Sequence, residues 1–228
     1  AAPLNVLRIC EQAKNDGYKV LLGGTAGDDL FTGYRRHQAL NLEKKINKIP
    51  APFRIIIKYL TTLLGNRNST IRRIKKIAQN IEKPSIDRLY GYFEWLSIGK
   101  AKSLLNAKNR TEFQEYFPIG YFKDLLLNIP DEHSEINKYL YWEIKTFLAD
   151  HNLNYTDKMS MASGIEVRVP FLDLELVEYS AKIPPDMKLR GNVVKYVLKR
   201  AMETYLPHEV IYRPKTGFGA PVRQWVTH

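Results

Sequence analysis

The sequence predicts an α/β protein that is mostly helical, with part of a parallel sheet and its chemistry gathered at two ends of the chain. Three observations carry this. A helical period near the N-terminus turns at Gly17 into a short β-rich run that ends in two glycines. A long middle segment repeats its apolar residues at helical spacing. The last eighty or so residues are dense in polar and glycine/proline motifs.

Leu4, Leu7, Cys10 and Ala13 recur every three residues, which predicts a helix up to Gly17. Tyr18 to Leu22 follows as a buried strand and opens into Gly23-Gly24. In parallel α/β sheets ligands sit beyond the carboxyl ends of strands, so residues 23–34 are the first place to look for chemistry. From about 51 to 153 the pattern is helical. Phe53, Ile56, Ile57, Leu60, Leu63 and Leu64 form one stripe, and Ile136, Leu140, Ile144, Phe147 and Leu148 form another. Both read as core-facing, with a membrane-lying or partner-binding helix as the alternative. Aromatics between 90 and 122, Trp95 and Phe122 among them, lack the order of an RNA-binding signature and are expected to pack. Helices near 174–182 and 193–205 complete the chain.

At 228 residues with 44% hydrophobic side chains, the chain can bury a core. Its single cysteine, Cys10, cannot form an internal disulfide, and no charged-then-apolar leader opens it, so a reducing cytoplasm is the expected location. The most apolar helix, Pro52 to Leu64, is interrupted by Arg54 and Lys58 and is too short to cross a bilayer. The formal charge of +11 is unevenly placed: residues 35–110 hold 18 Lys or Arg against 4 Asp or Glu. A basic run, Arg72, Arg73, Lys75 and Lys76, is threaded by isoleucines 71, 74 and 77, which suits a solvated helix face better than a nucleic-acid site. A basic polyanion-binding helical module is the competing reading of the whole segment.

Four stretches carry chemistry. GGTAGDDLFTGY, residues 23–34, joins Gly23 and Gly24, whose backbone can approach an anion, to Asp28 and Asp29, which can hold a magnesium ion beside phosphate. The competing reading is a plain turn. DKMSMASGIEVRVPFLD, residues 157–173, spaces Asp157, Glu166, Arg168 and Asp173 through an apolar frame, as either catalytic groups or a buried ion-pair network. In GNVVKYVLKRAMETYLP a stripe of Val194, Val197, Leu198, Ala201, Met202 and Tyr205 puts Lys195 at its border, able to reach a cleft, and turns Lys199 toward solvent. RPKTGFGAPV, from Arg213 to Val222, offers Arg213 and Lys215 with two glycines, again suited to phosphate.

In this order, VLLGGTAGDDLFTGYRR, DKMSMASGIEVRVPFLD, KLRGNVVKYVLKRAM and RPKTGFGAPVRQW resemble the successive motifs of the asparagine synthetase family. The resemblance is close over residues 18–36 and 148–225 and loose between them. It implies an incomplete parallel-sheet core of the adenine-nucleotide-hydrolase (ATP-pyrophosphatase) type, divided into a strand and pyrophosphate/magnesium loop (1–36), a helical basic cover (37–147) and a motif-rich C-terminal part (148–228). The implied chemistry is adenylation of a carboxylate, expected to be aspartate, by ATP with Mg²⁺. Pyrophosphate leaves, and ammonia derived from glutamine then attacks. Asp28 matches the family aspartate associated with magnesium and pyrophosphate, and Lys195 the lysine that stabilises charge in both steps. Gly23, Gly24 and Lys215 complete the expected nucleotide site.

Two departures stand beside the matches. The family's serine-glycine-glycine-x-aspartate-serine loop and its N-terminal glutaminase cysteine are absent, so the chain is expected to be the C-terminal portion of a longer parent and inactive alone. Thr25 stands at the catalytic position where asparagine-forming members usually carry a glutamate, and a threonine hydroxyl is no general base at neutral pH. A relative amidating another carboxylate, such as a sugar acid in surface polysaccharide synthesis, is therefore the alternative. The expected partners are small-molecule substrates and the missing N-terminal part. A homodimer is compatible with the sequence, nucleic acid is not expected, and no segment spans a membrane.

Overall fold

The computed structural model describes residues 2–65, 69–94, 96–113, 115, 118–130 and 133–215. These form two compact units, one made of residues 1–34 and 140–228 and the other of the intervening residues 35–139.

The first unit opens with helix α1 (Ala2–Asn15), which buries Cys10 and Ala13 and ends where Gly17 takes a left-handed φ of 83°. Strand β1 (Val20–Leu22) follows, and then the short helix α2 (Gly27–Leu30). The chain then builds the second unit from α3 (Arg35–Ile46), α4 (Ala51–Thr62), α5 (Ser69–Ala78), α6 (Ser85–Gly91), α7 (Ile98–Ser103), α8 (Ala107–Glu112) and α9 (Ile119–Leu127). Helix α10 (Glu135–Glu143) leads into a π-helical stretch, Ile144–Leu153, and α11 (Asn154–Ser163).

Helix α11 packs on α1 and stops at Gly164, in the left-handed region at φ 69°. The Gly164 and Ile165 amides donate back to the Met161 and Ser160 carbonyls, and this closing turn aims β2 (Glu166–Arg168) alongside β1. The two strands are parallel, with Val20 opposite Glu166, Leu21 opposite Val167 and Leu22 opposite Arg168. The Gly23 amide extends the ladder by donating to the Arg168 carbonyl at 2.7 Å. After α12 (Leu174–Lys182), capped by the Asp173 carboxylate on the Leu176 amide, come α13 (Pro185–Lys188), a two-stranded hairpin of β3 (Leu189–Arg190) and β4 (Val193–Val194), α14 (Tyr196–Met202) and α15 (His208–Ile211).

The core beneath the β1–α2 loop is Leu30, Phe31 and Ile183, with Ile144, Phe171, Leu176, Val177, Val197 and Leu198 packed against it. Phe31 meets Phe171 edge to face at 6.3 Å. This cluster fixes α2 and the loop after it, and so fixes Asp28.

In the second unit a buried polar knot replaces part of an apolar core. Arg88, 1% exposed, meets the Glu43 carboxylate at 2.7 Å, and the Tyr92 hydroxyl donates to the same carboxylate at 2.7 Å. Burial and that hydrogen bond push the Tyr92 phenol far above its usual range. Phe122 is fully buried, and Phe93 lies 4.7 Å from Tyr139, so packing does claim these aromatics. Trp95 lies outside the described residues.

Several sequence expectations are corrected. Strand β1 is not buried, since Leu22 is 75% exposed and the sheet has two strands among the described residues. Glu166 and Arg168 do pair, at 2.7 Å, but as an exposed couple and not a buried network. The stripe from Phe53 to Leu64 does not face a core: α4 buries none of its residues. The second stripe is inside, with Ile136, Leu140 and Leu148 all buried.

Candidate functional site

The site forms where the β1–α2 loop meets the β4–α14 junction. Gly23 continues the strand, and a side chain there would press on Val167. Gly24 opens into free space. Thr25 is half-buried in the turn, and its hydroxyl makes no hydrogen bond among the described residues. Ala26 takes a left-handed φ of 72° to start α2, and Gly27 lies so close to the Phe171 ring that a Cβ would sit 3.3 Å from it. A side chain there would make the Phe171 ring give way by a few tenths of an ångström.

Asp28 is the centre of the arrangement. Its carboxylate meets the Lys195 ammonium at 2.5 Å through one oxygen and the Lys215 ammonium through the other. Lys215 also donates to the Gly33 carbonyl at 2.9 Å. Burial pushes the Asp28 carboxyl up, but the charge and hydrogen bond of Lys195, followed by those of Lys215, hold it below the usual carboxylate range. Gly33 makes this possible, because a Cβ at that position would run into the Asp28 carboxylate and the Lys195 stem.

Asp29 points the other way. It is fully buried and accepts from the Tyr34 hydroxyl at 3.2 Å. Tyr34 in turn accepts from the Asn152 side chain at 2.9 Å and stands edge to face with Phe147, 5.8 Å away. The Lys215 ammonium lies 5.1 Å above the Tyr34 ring. Phe147 and Asn152 both come from the π-helical stretch, a distortion often found at functional sites.

Lys195 is not on a helix border. Val193-Val194 pair with Leu189-Arg190 as a hairpin, and Lys195 precedes α14 in the left-handed region at φ 54°. The residue's amide donates to the Phe31 carbonyl at 3.0 Å. The Thr32 hydroxyl reaches the Lys188 carbonyl at 2.8 Å from a residue with φ 62°. Ala26, Thr32 and Lys195 are the described non-glycine residues with positive φ, and all three border this site. Such backbone costs about 1–3 kcal/mol each and persists where surrounding structure imposes it. Lys199 is less exposed than the helical wheel suggested. It is half-buried, 5.3 Å from the centre of the Tyr212 ring, and burial followed by the Lys195 charge lowers its ammonium below the ordinary lysine range.

Of the expected site residues, the structure brings Asp28, Lys195 and Lys215 together, and Gly23, Gly24 and Thr25 lie in the loop that leads into α2. Residues 216–222 of the fourth motif lie outside the described residues. Gly33, Tyr34 and Asn152 were missed. Gly33 and Tyr34 stood inside a quoted motif, whereas Asn152 had no local signal.

The family description "Asparagine synthase" matches residues 1–228 of this chain. The chain belongs to the asparagine synthase family. It is 30% identical over 210 residues to "Asparagine synthetase [glutamine-hydrolyzing] 1" of Bacillus subtilis (strain 168), which covers 91% of this chain and 31% of that protein. To "Amidase chry2" of Gibberella zeae it is 24% identical over 235 residues, covering 96% of this chain and 34% of that protein. To the asparagine synthetase of Mus musculus it is 40% identical over 65 residues, covering 27% of this chain and 12% of that protein. The chain thus spans about a third of the length of the first of these relatives. No solved structure matches it. The fold agrees with membership of the asparagine synthase family: a mostly helical α/β chain with a small parallel sheet.

Proposed function

We propose that this chain supplies the pyrophosphate-handling face of an ATP-dependent amidoligase, which joins ammonia to a carboxylate activated as an acyl-adenylate. The observation that carries the proposal is the Asp28 carboxylate held between two ammonium groups around a glycine that leaves room for them. Two lysines and one carboxylate are the donor set that a magnesium-bound polyphosphate needs. Magnesium is commonly held by one or two carboxylates plus phosphate oxygens, and ammonium groups pair with the remaining oxygens. Asp28 would hold the metal, which when bound neutralises charge on the phosphates. No group of three or more acidic, histidine or cysteine side chains that could hold a metal by itself occurs among the described residues, so the site fits a metal shared with substrate.

In this reading Lys195 and Lys215 exchange the Asp28 oxygens for phosphoryl oxygens as the nucleotide enters. Pyrophosphate departs when the carboxylate oxygen attacks the α-phosphorus of ATP, and the new acyl-phosphate bond is cleaved when the ammonia nitrogen attacks the acyl carbon, releasing AMP. Lys195 is anchored by its backbone bond to Phe31 and so presents a fixed cation to both charge build-ups, the most effective arrangement where water is excluded. Gly23 and Gly24 offer close backbone approach. We take aspartate as the acceptor. Thr25 favours a second reading, another carboxylate such as a sugar acid, because its hydroxyl cannot take the proton of attacking ammonia.

The test is ATP–pyrophosphate exchange in the complete enzyme of which this chain is part. Lys195→Met should lower exchange by roughly 10²–10³ with folding retained, and Asp28→Asn should change its magnesium dependence. Lys199→Met should stay within several-fold of the parent. Exchange unchanged in Lys195→Met, or an equal loss from Lys199→Met, would remove the assignment.

A further inference from the structure

We propose that helix α4 docks the chain onto an anionic lipid surface. Steps of 100° per residue put Phe53, Ile55, Ile56, Tyr59, Leu60 and Leu63 on one half of the α4 wheel. All six are exposed, Tyr59 at 69% and Leu63 at 82%. The half-buried flank is polar: Arg54 donates to the Ile49 carbonyl at 2.7 Å and Lys58 pairs with Glu82. A helix of 12 residues with so apolar a free face is unusual for a soluble surface, where large contiguous apolar patches mark interaction sites.

The charge around the helix identifies the occupant. Residues 44–81 contain ten Lys or Arg and no Asp or Glu. Lys45, in the last turn of α3, and Lys48, in the turn that leads into α4, are exposed, as is Arg72 on α5, beside the exposed Ile74. A second copy of the chain would set Lys45, Lys48 and Arg72 against their like, and like charges brought together oppose association. A nucleic acid would answer the charge and leave the apolar face in water. A bilayer with anionic headgroups answers both: the apolar half sinks to the headgroup–acyl boundary while lysines and arginines remain among the headgroups. The helix is too short to cross, so it lies in the plane. All of these residues belong to the second unit, whereas Asp28, Lys195 and Lys215 belong to the first.

Vesicle co-sedimentation of the complete protein of which this chain is part tests it, with neutral phosphatidylcholine and with roughly one-third phosphatidylglycerol, at about 0.1 M salt. Binding should be at least about tenfold tighter to the anionic vesicles. Leu60→Asn with Leu63→Asn, both exposed and so tolerated by the fold, should cost about tenfold or more. Lys45→Gln with Lys48→Gln should weaken binding to anionic vesicles only. The emission that Tyr59→Trp adds to that of the native tryptophans, three of them in this chain, should shift to the blue on adding anionic vesicles. Three outcomes would overturn the proposal: no preference for anionic vesicles, vesicle binding that survives the paired leucine substitutions, or self-association that those substitutions abolish. Nucleic-acid binding with no vesicle binding would overturn it as well.

Discussion

Replacing Gly33 by alanine tests the geometry of the site most directly. The added Cβ would fall on the Asp28 carboxylate and the Lys195 stem, which are side-chain ends and can swing aside. The cost is therefore the lost pairing and not a backbone clash. Asp28 is largely buried, with a side chain 22% exposed. Loosening its two ion pairs without removing the group should destabilise the chain by on the order of 1–3 kcal/mol at pH 7, or about 2–12 °C in Tm. Gly24→Ala, into empty space, is the control and should stay within about 0.5 kcal/mol. The pH dependence gives a second reading. Asp28 has a folded pKa below its unfolded value of about 3.9, so its contribution is present above that value and lost as pH falls through the folded pKa. The gap between parent and Gly33→Ala in thermal denaturation should accordingly close in acid. In an Asp28→Ala background Gly33→Ala should cost much less, a coupling of about 0.5–3 kcal/mol. Equal melting of Gly33→Ala and Gly24→Ala at pH 7, or a gap independent of pH, would refute the reasoning.

Two further outcomes follow from buried charges. Arg88→Met leaves the Glu43 carboxylate buried without its guanidinium and should cost about 3–5 kcal/mol in denaturant unfolding, while Arg88→Met with Glu43→Met should cost clearly less. Burial pushes the Lys188 ammonium down to about 8. The unfolded chain then binds more protons, so stability relative to Lys188→Met should rise by about 3 kcal/mol as pH climbs from about 8 toward 10.4, and a flat difference would contradict this.

The strand, the glycines and the paired aspartates were legible because a short β-rich apolar run and a glycine cluster with adjacent carboxylates are local signals. The Lys195 helix was misread for a reason visible in retrospect. Val194 and Val197 keep helical spacing, but Arg190-Gly191-Asn192-Val193 is a two-residue hairpin turn, with Gly191 at φ 58°, between β-branched and aliphatic residues. Giving that turn priority over the apolar period would have placed Lys195 correctly. The α4 stripe shows another limit, since an amphipathic pattern says that a face is apolar and not what covers it. Asn152 lies 118 residues from Tyr34, and only the folded chain brings such partners together. The Glu43–Arg88 knot was hidden for the same reason within a segment that sequence alone marks as basic.

The interruption of the first unit by residues 35–139 has a consequence for how the chain finds its form. Asp28 and Lys215 are 187 residues apart, so their contact closes a loop that contains the whole inserted stretch. For a floppy loop of that length the ordering entropy is on the order of 4 kcal/mol. The insert shortens that search itself: near its two ends, His37 and Tyr139 meet ring against ring at 5.9 Å. Once these helices have condensed, the outer segments are joined by a short tether in place of a hundred-residue coil. The basic helical stretch thus shortens the loop that the Asp28–Lys215 contact closes, whatever else its surface does.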